Sequence, residues 1–125
     1  MNILIIEDDQ MLRKALSHFL LETANTVTSA ANGQEALEAI THNKDVDVIL
    51  CDVLMPEVSG PTFLLKIKRQ FNGKLPKIVI ISGVREGEAF LHQLEIPFDY
   101  FLEKPIDIQK LKALLTEIKQ SLPAR

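Results

Sequence analysis

The sequence predicts an open α/β fold, a mostly parallel sheet with helices on both faces. Three observations predict it. Short apolar runs that read as strands recur five times, and between them apolar residues repeat at helical spacing. Four of the five runs end on a residue with useful chemistry: Glu7 and Asp8, Asp52, Ser82 and Lys104. The chain has 125 residues, enough to bury one core without disulfides or metal staples, and one domain over residues 1–125 is expected.

Ile3 to Ile6 is the first expected strand, followed at once by Glu7, Asp8 and Asp9. Asp9 suits a helix start, because Met11, Leu12, Ala15, Leu16, Phe19 and Leu20 then repeat on one helical stripe. Glu7 and Asp8 stand earlier than a capping role requires. Thr26 to Ala30 is a weaker strand, and Asn32 with Glu35 forms an N-cap pair leading to Ala36, Leu37 and Ile40.

The third strand runs from Val46 to Cys51, with Val48 to Cys51 as apolar as a strand buried on both faces. It ends on Asp52, and the chain then breaks at Pro56 and Gly60. Pro61 fits a first helical turn, where its missing N–H costs nothing, and Phe63, Leu64, Ile67 and Phe71 form the next stripe. Ile78 to Ile81 is the clearest strand and ends on Ser82 and Gly83. Glu86 to Leu94 reads as a short, poorly patterned helix containing Gly87 and stopped by Pro97. Tyr100 to Leu102 is the fifth strand. Asp107 then caps a final helix whose apolar side carries Ile108, Leu111, Leu114, Leu115, Ile118 and Leu122.

Composition excludes several function classes. A net charge of -3 without a Lys/Arg cluster gives no reason to expect nucleic-acid binding. No apolar run approaches the ~20 residues of a membrane span, and no basic-then-apolar leader precedes the first strand. The single cysteine, Cys51, rules out an intramolecular disulfide and reads as a small core residue. A cytoplasmic protein is expected.

In a parallel sheet all strands point the same way, so the residues that end them gather at one edge, where such folds bind ligands. Taken alone, Asp52 also reads as a surface residue that starts a turn; its companions decide otherwise. Clustered carboxylates raise one another's pKa unless a cation relieves them. Mg²⁺ suits such a set, because it takes one or two carboxylates, keeps several waters and accepts phosphate oxygens. The pocket suits phosphoryl transfer. Asp52 is the expected nucleophile. Asp8, with help from Glu7, is expected to hold the metal, while Lys104 and the Ser82 hydroxyl grip phosphoryl oxygens and Gly83 leaves room for the group.

Four motifs carry a family resemblance: Ile5-Ile6-Glu7-Asp8-Asp9, Asp52-Val53-Leu54-Met55-Pro56 with Gly60, Ile80-Ile81-Ser82-Gly83, and Lys104-Pro105. Each is short, but all four in this order and spacing resemble the receiver domains of two-component response regulators over essentially the whole chain. The resemblance implies a flavodoxin-like, doubly wound sheet of order 2-1-3-4-5. It implies that Asp52 takes phosphate from the phosphohistidine of a sensor histidine kinase or phosphotransfer protein. Mg²⁺ would be bound by the side chains of Asp8 and Asp52 and the backbone carbonyl of Leu54. Ser82 and Phe101 match the family's switch pair, with a plain core aromatic as the rival reading of Phe101, and Lys104-Pro105 matches its cis peptide. Phosphorylation would bias the face of the fourth helix, fifth strand and fifth helix toward a downstream effector or C-terminal output domain. A phosphorylation-dependent dimer is compatible with this.

Departures from the family pattern are informative. Leu54 and Val84 are apolar, and as a pair they are expected to shield the acyl phosphate from water. A lifetime that shortens little in Leu54→Asn would contradict that. Pro97-Phe98 replaces the usual Gly-Ala before the last strand. Leu54 also stands where aspartyl-nucleophile hydrolases carry a second acid, and Glu7-Asp8-Asp9 would repel a flavin phosphate, so no enzyme beyond self-phosphorylation and autodephosphorylation is expected. The alternative reading is a phosphorylation-independent pseudo-receiver acting as an interaction module. Met1 stands directly before the first strand, and a linker often starts near Leu122-Pro123-Ala124-Arg125, which leaves single-domain and multidomain forms equally open.

Overall fold

The computed structural model describes residues 1–23, 25–43, 45–52, 60–70, 75–83 and 98–123. Five parallel strands, β1 (Asn2–Ile6), β2 (Thr26–Ala30), β3 (Val48–Asp52), β4 (Lys77–Ser82) and β5 (Tyr100–Glu103), form one sheet of order β2-β1-β3-β4-β5. The described helices are α1 (Gln10–Glu22), α2 (Gly33–His42), α3 (Gly60–Gln70) and α4 (Ile108–Ser121). The flavodoxin-like order expected from the resemblance is the order observed. The helix expected over Glu86 to Leu94, together with Phe71, Leu54, Val84 and Pro97, lies outside the described residues.

Strand alternation divides the core into two layers, since successive side chains leave opposite faces of a sheet. Leu4, Ile6, Ile49, Cys51, Ile78 and Ile80 pack with α2 and α3 through Ala36, Ile40, Phe63, Leu64 and Ile67. Ile3, Ile5, Val48, Leu50, Val79 and Ile81 pack on the other side with α1 and α4, through Leu16, Leu20, Leu111, Leu114, Leu115 and Ile118. β1, β3 and β4 are buried on both faces, which is why they read as continuous apolar runs. The edge strand β2 is largely exposed, and its threonines reflect that.

The expected caps are present. Asp9 Oδ1 accepts from the N–H groups of Met11 (3.0 Å) and Leu12 (3.2 Å), and Asp107 Oδ1 from those of Gln109 (2.9 Å) and Lys110 (3.3 Å). Asn32 Oδ1 accepts from Glu35 N–H at 2.9 Å, and Glu35 Oε1 reaches back to Ala31 N–H at 3.3 Å. Two stripes need correction. Met11 is 82% exposed and Ile108 41%, and Ala15 is exposed too. Met11 and Ile108 both stand in the first turn of their helix, and the buried side chains of each helix begin further along.

Candidate functional site

The C-terminal ends of the strands bring the sequence-predicted acids and the lysine together. Glu7 follows β1 and keeps its N–H in the sheet, donating to Ala30 O at 3.0 Å. Asp52 is the last residue of β3, the central strand, one position beyond the pairing of Cys51 with Ile6. Lys104 follows β5, and its N–H donates to Ser82 O at 2.8 Å, extending the β4–β5 ladder by one bond. Sheet geometry, not local propensity, makes this site.

Lys104 Nζ donates to Asp52 Oδ2 at 3.0 Å and to Glu7 Oε1 at 3.3 Å. The side chains of Glu7 and Asp52 are 1% and 6% exposed, so the lysine bridges two buried carboxylates. Burial would depress the ammonium's pKa. The hydrogen bond and charge of Asp52, with those of Glu7, outweigh it, and Lys104 lies above its ordinary value. Glu7 is pushed up to about 7, first by burial and then by the charge of Asp52, with Lys104 opposing. Its Oε1 also accepts Asp9 N–H at 3.3 Å, whereas its buried Oε2 has no hydrogen-bond partner among the described residues. Among the described residues, Lys104 bridges both buried carboxylates.

Asp8 is exposed, and carboxylate oxygens of Glu7, Asp8 and Asp52 all lie within 4.8 Å of one another. Three hard oxygen donors, one with an orphaned buried oxygen, fit a small divalent cation such as Mg²⁺. The backbone carbonyl of Leu54 lies outside the described residues. Ser82 is buried at the end of β4. Phe101 stands opposite Ile80 in the β4–β5 register and packs on the α2/α3 layer, so alternation sets Ser82 and Phe101 on the same face of the sheet. The Phe101 ring meets that of Phe98 edge-on, with centroids 6.5 Å apart and planes at 61°. The Lys104–Pro105 peptide is cis. A Cβ added at Gly83 would meet Lys104 Cβ at an ordinary 3.9 Å, so contact with Lys104 does not itself demand glycine there.

Cys51 is fully buried, and burial followed by the charges of Asp52 and Glu7 pushes its thiol well above its ordinary value. It is a core residue, as expected. Arg13 was not legible as part of the site. From α1 its Nη1 donates to Glu7 O at 2.7 Å and lies 3.5 Å from Asp8 O. The available signal was a cation in the first turn of a helix, where the macrodipole disfavours it.

A doubly wound parallel sheet with a carboxylate cluster and a lysine at its C-terminal edge defines an α/β domain with an acidic site at the strand ends. Comparison with known proteins makes the class specific. The family model for the response regulator receiver domain matches residues 3–116, and the chain belongs to that family. The protein-glutamate methylesterase/protein-glutamine glutaminase of Bacillus subtilis is 37% identical over 92% of this chain. The cyclic di-GMP phosphodiesterase of Thermotoga maritima is 32% identical over 93% of it. The chain spans 34% and 30% of those two proteins. Among solved structures, a two-component response regulator from Clostridium difficile superposes with a TM-score of 0.88 at 27% identity, covering 99% of each chain. A chemotaxis protein from Vibrio cholerae gives 0.84 at 26% identity, covering 94% of this chain and 97% of its own. Receiver domains bind Mg²⁺ at an acidic pocket and interact with histidine kinases and output domains. Among the described residues no helix is long and apolar enough to cross a membrane.

Proposed function

We propose that this chain is one receiver domain over residues 1–125, a cytoplasmic phosphoacceptor switch whose only chemistry is its own phosphorylation and dephosphorylation. The observation that carries the reading is Asp52: a buried carboxylate at the end of the central strand, 3.0 Å from Lys104 Nζ and within 4.8 Å of two further carboxylates. An isolated buried acid would be costly. Grouped with a lysine and a place for a divalent cation, it is suited to attack phosphorus.

In the reaction an Asp52 carboxylate oxygen attacks a phosphoryl group carried by the histidine of a sensor kinase or phosphotransfer protein. The phosphorus–nitrogen bond breaks, a phosphorus–oxygen bond to Asp52 forms, and the imidazole leaves with a proton from solvent. Asp8, Asp52 and the Leu54 backbone carbonyl would hold Mg²⁺, with Glu7 beside them, and the ion would supply positive charge for the phosphoryl oxygens. Lys104 exchanges its contact with Asp52 for one with a phosphoryl oxygen. The Ser82 hydroxyl donates to another.

The new group brings roughly -1.5 to -2 charges and three strong acceptors to the edge of the sheet. Drawing Ser82 toward it opens space on the face that Phe101 shares, and Phe101 fills that space. The surface around β5 and α4 then changes its affinity for an effector, an output domain or a second copy of the chain. Leu54 and Val84 shield the acyl phosphate, and Leu54→Asn shortens its lifetime.

Intact mass after incubation with acetyl phosphate tests the reading. One added phosphoryl group is expected with Mg²⁺ in the wild type, and none with a chelator or in Asp52→Asn. A folded wild type that binds Mg²⁺ but gains no mass would favour an interaction module that works without phosphorylation.

A further inference from the structure

We infer that Arg13 is a positioning residue for the acidic loop: its guanidinium fixes the Glu7 peptide carbonyl so that Asp8 and Glu7 present their carboxylates to one divalent cation. This rests on the reading of that cluster as the Mg²⁺ site.

Glu7 lies one residue beyond β1, where the strand gives way to the acidic loop. Arg13 Nη1 donates to the Glu7 carbonyl at 2.7 Å, while the Glu7 N–H donates to Ala30 O at 3.0 Å. Both ends of the residue are thereby pinned. The peptide that launches Asp8 has its orientation set from behind, and a second carbonyl, that of Asp8, lies 3.5 Å from the same nitrogen.

The placement follows from helix geometry. Arg13 is the fourth residue of α1, and side chains of a helix lean back toward its N-terminus, which here is the acidic loop. A cation in that first turn opposes the macrodipole, a cost that the Asp9 N-cap carboxylate offsets in part. The helix dipole gives a cation nothing there, whereas the bonds to the Glu7 and Asp8 carbonyls give Arg13 a task. Its charge also repels a divalent cation at the neighbouring carboxylates. Charge and positioning thus push metal affinity in opposite directions, and the sign of a mutation separates them.

The experiment is calorimetric titration with Mg²⁺ alone on wild type, Arg13→Met, Arg13→Lys and Asp8→Asn, with urea midpoints measured in chelator. If Arg13 positions the loop, Arg13→Met weakens Mg²⁺ binding roughly tenfold even though a repelling charge has gone, as loss of a group that orients metal ligands does elsewhere. Arg13→Lys keeps one donor and restores part of the affinity. Amide resonances of Glu7, Asp8 and Asp9 shift in Arg13→Met, while the urea midpoint stays near that of the wild type. Binding that is unchanged or tighter in Arg13→Met overturns the inference, and so does a loss of affinity matched by general unfolding. Failure of the wild type itself to bind Mg²⁺, alongside Asp8→Asn, removes the metal-site reading and this inference with it.

Discussion

At the scale of single residues, the site turns on one lysine shared by two buried carboxylates. Lys104 serves two carboxylates, and Glu7, the more buried, carries the cost as a pKa of about 7. In the unfolded chain Glu7 titrates near 4.5, so the fold holds a proton that the unfolded chain has released between those values. Stability from this group is complete below pH 4.5 and is lost as pH rises through 7. In metal-free protein the urea midpoint of the wild type should therefore fall from pH 4.5 to 7.5 more than that of Glu7→Gln. A parallel pair of profiles would show that Glu7 ionises normally. Arg13 is the residue that the sequence hid, because its partners are backbone carbonyls and no motif spacing reports a carbonyl.

At the scale of elements, most of the architecture was legible from the chain. Val48 to Cys51 and Ile78 to Ile81 announced themselves because a doubly covered strand must be apolar on both faces. β2 ran Thr26–Ala30 as expected, despite its polar edge position. Asp9, Asn32 and Asp107 cap the helices that their spacing indicated. Replacing Asp107 by Ala leaves the N–H groups of Gln109 and Lys110 without their side-chain acceptor, and should cost about 1 kcal/mol in urea unfolding. Met11 and Ile108 were misjudged because periodicity extends a stripe to a helix's first turn without knowing where burial begins. Phe101 was legible only through the family resemblance; its contact with Phe98 needed the fold.

At the scale of the whole molecule, the parallel sheet turns four distant segments into one site, and the divalent cation proposed for it should also stabilise the fold. A metal that binds only the native state adds about 2.7 kcal/mol at one hundred times its Kd. Mg²⁺ should raise the thermal midpoint of the wild type and leave that of Asp8→Asn nearly unchanged. An equal rise in both would mean that the ion acts elsewhere. Leu50 is fully buried between β1 and β4 in the α1/α4 layer, so Leu50→Ala should cost roughly 2–5 kcal/mol and lower the midpoint with or without Mg²⁺. That contrast separates damage to the core from damage to the site.

The central claim is that Asp52, and neither of its acidic neighbours, accepts the phosphoryl group. The most direct measurement is borohydride reduction after treatment with acetyl phosphate and Mg²⁺, followed by peptide mapping, since reduction converts an acyl phosphate to the corresponding alcohol. The expected result is homoserine at position 52 alone, absent when Mg²⁺ is chelated. Reduction at Glu7 or Asp8, or none anywhere in a folded protein that binds Mg²⁺, would contradict it.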